Sequence, residues 1–122
     1  MGLRLPTPND LVRDCLRLLN LRGLYAWRNN TGAARFGRHY VKYGAGAGGP
    51  DILAVLPRHA DGDEVHPPGR LLGVECKTGG GALEPAQRAW HANATSAGVV
   101  VFVVRSIDEL DHSLSVLIGG PW

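Results

Sequence analysis

Three residues of this 122-residue chain have types and spacing suited to phosphate-ester chemistry: Asp51, directly after Gly49 and Pro50, and Glu75 and Lys77 on either side of Cys76. If residues 70–77 form a strand, alternation sends Leu72, Val74 and Cys76 to one face and Gly73, Glu75 and Lys77 to the other. The carboxylate and the ammonium then stand about 7 Å apart along the strand. Gly73, on the same face, is expected to leave room for a ligand. Asp51 opens the apolar run 52–56, and a hairpin pairing of the two strands brings Asp51 and Glu75 together at one end of the sheet. Two carboxylates ~4 Å apart repel by roughly 4 kcal/mol at an effective dielectric near 20, so one gains a proton or a cation intervenes. Mg2+ suits the pair, with the backbone carbonyl of Cys76 available between Glu75 and Lys77. Lys77 then stands where it can orient or deprotonate a water, or stabilise charge building on a phosphate. A plainer arrangement fits the same spacing: an exposed Glu75 and Lys77 pair of little energetic weight, and Asp51 as a turn residue before a strand.

These side chains need a scaffold, and the pattern of the chain supplies one. Residues 10–21 place Leu11, Cys15, Leu18 and Leu19 at helical spacing among arginine and aspartate, which predicts an amphipathic helix capped by Asn9 or Asp10 and stopped by Gly23. Residues 24–28 read as a short strand, 36–43 as a second, 52–56 as a buried strand, and 58–70 as a polar connection to the strand 70–77. Gly79, Gly80 and Gly81 end that strand, and Pro85 suits the first turn of a helix over 84–97. The β-branched run 99–104 predicts a strand buried on both faces. Ser106 and Glu109 can form a capping box for a short helix beginning there. The expected fold is α/β, a mixed sheet flanked by helices in a single domain over residues 1–122. Gly44, Gly46 and Gly49 match a dinucleotide-binding fingerprint, but a strand follows where that fold requires a helix.

Composition narrows the class. Apolar residues at 44% and charged residues at 20% exclude a disordered chain. No apolar run approaches the ~18 residues of a membrane span and no signal-like start is present, so no membrane association and a cytoplasmic location are expected. Cys15 and Cys76 lack any zinc-ligand spacing and are expected as buried small hydrophobes. Charge is unevenly placed: residues 1–50 carry eight basic against two acidic residues, +6, and the remainder five against nine, −4. Arg28, Arg35, Arg38 and Lys42, interleaved with Trp27, Phe36, Tyr40 and Tyr43, could track phosphates and stack bases; basic residues on a solvated face and aromatics in a strand core would give the same pattern.

The ordered strings Arg28-Asn29-Asn30-Thr31-Gly32, Gly49-Pro50-Asp51-Ile52, Gly73-Val74-Glu75-Cys76-Lys77 and Gly81-Ala82-Leu83-Glu84-Pro85-Ala86-Gln87, with residues 98–106 after them, resemble the VRR-NUC family of the PD-(D/E)XK nuclease superfamily. The resemblance implies a restriction-endonuclease-like αβββαβ core. It further implies Asp51 and Glu75 as ligands of Mg2+ or Mn2+, Lys77 as the catalytic lysine and Gln87 as a catalytic glutamine on the helix after the motif. Relatives carry an acidic residue near the start of the first helix; Pro8 falls near that position here, and Asp10 is the nearest carboxylate. The implied activity is hydrolysis of DNA, structure-selective for branches or junctions, by a homodimer. The competing expectation is a module of the same fold that binds DNA junctions or ends without cutting. Read as residues alone, Gln87 suits a helix cap, Trp90 the core, and His91 has no evident partner. Asp111, His112 and Ser113 are adjacent in sequence and make no hydrolase triad.

Overall fold

A computed structural model describes residues 7–57 and 68–118. Helix α1 spans Pro8–Leu21. Its cap is Thr7, not Asn9 or Asp10: the Thr7 hydroxyl accepts from the Asp10 N–H at 3.1 Å, and the Asp10 carboxylate accepts from the Thr7 N–H at 2.9 Å. This reciprocal box fixes the first turn. One face of α1 buries Leu11, Val12, Cys15 and Leu19. Gly23, at φ +86°, turns the chain into the first strand.

Strands β1 (Tyr25–Arg28), β4 (Ile52–Val55), β5 (Leu71–Cys76) and β6 (Val100–Val104) form one mixed sheet in the order β1-β4-β5-β6; between β1 and β4 the chain inserts β2 (Gly32–Phe36) and β3 (His39–Tyr43). β1 pairs antiparallel with β4, β4 antiparallel with β5, and β5 parallel with β6. The parallel pair requires a crossover, which α2 (Pro85–Ser96) provides. Helix α3 (Ile107–Ile118) packs beside α1 on one face of the sheet. There Leu72, Val74 and Cys76 join Ile52, Ala54, Leu110 and Leu114 in the core. Gly73 marks the opposite face, where a Cβ would meet Pro50 at 2.9 Å and Trp90 of α2 at 3.7 Å.

Several expectations change. The segment 36–43 is not one strand: Phe36 ends β2, His39 begins β3, and the two form a hairpin over 32–43 joined by Gly37 and Arg38, with Gly37 at φ +62°. Among the described residues it packs on no other strand or helix. β6 is not buried on both faces: it is an edge strand, and Val103 is 40% exposed. Helix α3 runs twelve residues, because Leu110, Leu114 and Ile118 recur on one buried face. The Ser106 hydroxyl accepts from the Glu109 N–H as expected, but Glu109 accepts from the Arg105 N–H instead of completing the box at Ser106. Residues 58–67 of the polar connection lie outside the described residues. No described helix is long and apolar enough to cross a membrane.

Candidate active site

Antiparallel pairing of Ile52 with Val74 carries the register outward so that Asp51 lies across from Glu75. Asp51 also caps the ladder itself. One carboxylate oxygen, Oδ2, accepts from the Cys76 N–H at 2.8 Å, and its carbonyl accepts from the Asn29 N–H at 2.8 Å. The two acids expected to converge do so at the end of β4 and β5.

Glu75 is 3% exposed and the one buried charged residue among those described. Its Oε1 accepts from Gln87 Nε2 at 2.9 Å and lies 3.7 Å from Lys77 Nζ. Its Oε2 is buried without a hydrogen-bond partner. Burial first, and then repulsion from Asp51, push the Glu75 carboxyl up to about 7 against the opposing pull of Lys77. An orphaned carboxylate oxygen beside a second acid is the donor set a hard divalent cation takes, and the residues fit Mg2+ or Mn2+. Cys76 meets the acid pair through its backbone, its N–H donating to Asp51. Its side chain is buried in the core, and a hydrogen bond with Cys15, then burial, hold its thiol far above the usual range and protonated. Both cysteines are free and buried, as expected.

Gln87 does more than a helix cap. Its Oε1 accepts from both the Lys77 ammonium and the Glu84 N–H at 2.9 Å, while its amide nitrogen donates to Glu75. One side chain in the first turn of α2 therefore fixes the carboxylate and the ammonium together. Arg105, which sequence reasoning passed over, steadies the link between them. Its guanidinium donates to the carbonyls of Gly79 at 3.1 Å and Gly81 at 2.6 Å, holding the glycine bridge from β5 to α2. No spacing in the sequence signals that contact.

Gly73 does not leave the expected room, because Pro50 and Trp90 fill its face. Trp90 is half-buried, and its indole donates to the Ala45 carbonyl at 2.8 Å, tying the glycine loop 44–49 to α2. Gly48, at φ +82°, lies so close to the start of α2 that a Cβ would sit 2.1 Å from the Ala86 carbonyl oxygen. His91 packs edge-on against Trp90; burial, then the charge of Lys77, lower its pKa, and its Nε2 is buried without a partner.

Asp10 is not brought to the acid pair. Its carboxylate is engaged at Thr7 and Arg13, and among the described residues no three His, Cys, Asp or Glu side chains gather to hold an ion. The geometry of the N-terminal cap explains this: the third position of α1 aims its side chain back at its own first turn. Of the expected basic surface, Arg28 stands at the end of β1 and donates to Asn9 at 2.6 Å. Arg35 and Lys42 share one face of the hairpin with Tyr40, and Arg38 occupies its turn. All four are exposed.

Beside Asp51 the surface sinks into a polar cavity of 530 Å3 lined by Arg28, Asn29, Asn30, Thr31 and Tyr43. Asn29 builds its wall, donating to the Pro50 carbonyl at 2.8 Å and to the Thr31 hydroxyl at 3.1 Å and accepting from the Ala45 N–H at 3.2 Å. No protein-family model and no curated protein matches the chain.

Proposed function

We propose that this chain is a metal-dependent nuclease of the VRR-NUC type that hydrolyses DNA phosphodiester bonds, with selectivity for branched or junction DNA. The observation that carries the reading is the buried, partnerless Glu75 Oε2 opposite Asp51, with Lys77 and Gln87 joined to the same carboxylate. A plain surface ion pair has neither that burial nor that convergence. With the β2/β3 hairpin set aside as an insertion, the element order α1, β1, β4, β5, α2, β6 supports a restriction-endonuclease-like core.

Asp51, Glu75 and the Cys76 carbonyl would hold Mg2+ or Mn2+. When bound, the ion would supply Lewis-acid polarisation of a phosphoryl oxygen and neutralise charge there. Gln87 holds Lys77 against the acids, so the ammonium is aimed before substrate arrives. Lys77 orients the attacking water and stabilises charge on the phosphate as the bond to the leaving oxygen lengthens. The exposed face of Arg35, Tyr40 and Lys42 follows the backbone of the nucleic acid beyond the site. A two-fold homodimer would give so small a chain a second contact with a branch.

Linear, flap, single-stranded and four-way-junction DNAs, incubated with and without Mn2+, test this beside Asp51→Ala, Glu75→Ala and Lys77→Ala. Metal-dependent cleavage lost in each folded variant is expected. Cleavage surviving in all three overturns the proposal. The exposed, basic hairpin also suits a module that binds junctions without cutting. Calorimetry separates the two readings: Mg2+ binding that vanishes in Glu75→Ala favours the enzyme.

A further inference from the structure

The acid pair has a neighbour of different chemistry. The polar cavity shares Asp51 with it, and at 530 Å3 falls within the roughly 300 to 1,000 Å3 of sites that take small molecules or nucleotides. Its lining combines three features. Arg28 is exposed and carries five N–H donors, of which Nη2 donates to Asn9. Thr31 offers a hydroxyl held by Asn29. Tyr43 is 48% exposed, with its ring laid over Gly32, where a Cβ would stand 2.6 Å from the phenol oxygen. Gly32 thus gives the ring its place across the end of the hairpin, where any side chain would displace it, and nearly half of Tyr43 remains accessible. A cation, a hydroxyl and a half-exposed aromatic ring meet in a cavity sized for one nucleotide.

We infer that this cavity seats a single unstacked nucleotide adjoining the attacked phosphate, with Tyr43 stacking on its base and Arg28 and Thr31 holding its flanking phosphate. The substrate class is therefore single-stranded or locally unpaired nucleic acid, since a base inside a duplex has both faces covered and offers none to Tyr43. Only the position of the attacked phosphate rests on the nuclease reading; the seat itself rests on the cavity.

The test is binding to a fluorescein-labelled oligothymidine single strand, and to the same strand annealed to oligoadenosine, followed by anisotropy in EDTA with the full chain. Tyr43→Ala should weaken single-strand binding about 5- to 150-fold, the equivalent of the ~1 to 3 kcal/mol a base–aromatic stack contributes, and change duplex binding less than about 2-fold. Tyr43→Phe, which keeps the ring, should bind the single strand like the wild type. Arg28→Ala should lower the slope of log affinity against log salt by about one phosphate. Single-strand binding unchanged in Tyr43→Ala, or an equal loss on both ligands, overturns the inference. Should Tyr43→Ala fail to fold, photocrosslinking of a 5-iodouracil strand to the wild type decides. A crosslink at Tyr43 supports the seat, and crosslinks confined to other residues overturn it. Failure of the two readings is distinguishable: Tyr43-dependent binding without cleavage by the wild type retains the seat and removes the nuclease, while Lys77-dependent cleavage with Tyr43-independent binding does the reverse.

Discussion

Replacing Glu75 by glutamine should make the metal-free protein more stable at pH 8 and flatten its pH dependence. Glu75 is buried, faces Asp51 and is pushed up to about 7 from an ordinary 4.5. Between those values the folded chain holds a proton that the unfolded chain has released. Folding stability therefore falls as pH rises through that window and levels off above it. At 1.36 kcal/mol per unit, the fall has an upper bound of ~3 kcal/mol. The side-chain amide of the Glu75→Gln variant would keep an acceptor for Gln87 Nε2, remove the charge facing Asp51 and have no proton to lose. Urea unfolding in EDTA at intervals from pH 4.5 to 8 measures the difference. With slopes of ~1 to 3 kcal/mol/M, the wild-type midpoint should drop across the range, by at most roughly 1 to 3 M, while that of Glu75→Gln stays nearly level. Added Mg2+ should restore the wild type at pH 8 and leave the variant unchanged. Parallel curves for the two proteins, or a Glu75→Gln variant weaker than wild type at pH 8, would refute the account of a strained, cation-seeking carboxylate.

Other substitutions probe the framework around that carboxylate. Asp51→Asn should abolish cleavage yet keep an acceptor for the Cys76 N–H, whereas Asp51→Ala also strips that bond and should lose about 1 to 3 kcal/mol more on the same unfolding assay. Gln87→Ala frees Lys77 and Glu75 from their shared clamp, so single-turnover cleavage should slow by about 10- to 100-fold, on the scale seen when a supporting partner of a metal ligand is removed, with substrate binding nearly unchanged. Gly48→Ala should destabilise the chain by roughly 3 kcal/mol or more in thermal or urea unfolding, since both its positive φ and the backbone of α2 refuse a methyl group.

The parts legible in the sequence are those governed by strand alternation. An apolar run after Asp51, and a Glu and Lys two apart in a second run, suffice to place the acids across a hairpin, and the register of Ile52 with Val74 does so. The two-sided role of Gln87 is not legible in this way, because it depends on how far α2 sits from β5, and that distance is set by Pro50 and Trp90 closing over Gly73. Alternation can say only that Gly73 lacks a side chain; what fills the gap comes from remote segments. The Thr7 cap is masked by Pro8, Asn9 and Asp10, three residues that all suit a helix start. β2 is hard to see because Gly32, Ala33 and Ala34 have little strand propensity, and its pairing with β3 decides the matter. The length of α3 exceeds the short helix expected, although Leu110, Leu114 and Ile118 recur every fourth residue and carry the helix past it.

The bond from the Cys76 amide to Asp51 ties occupancy of the acids to the fraying of two strands. Asp51 serves as the terminal rung of a ladder and, in the proposed metal site, would be half of an ionic grip, doing both with a single carboxylate. An ion drawing on its second oxygen would pin the rung in place, and departure of the ion would let the strand ends breathe. The Cys76 amide proton thus becomes a built-in gauge: its exchange with deuterated water should slow when Mg2+ is added, and it should do so while the amides buried deeper in β5 keep their rates.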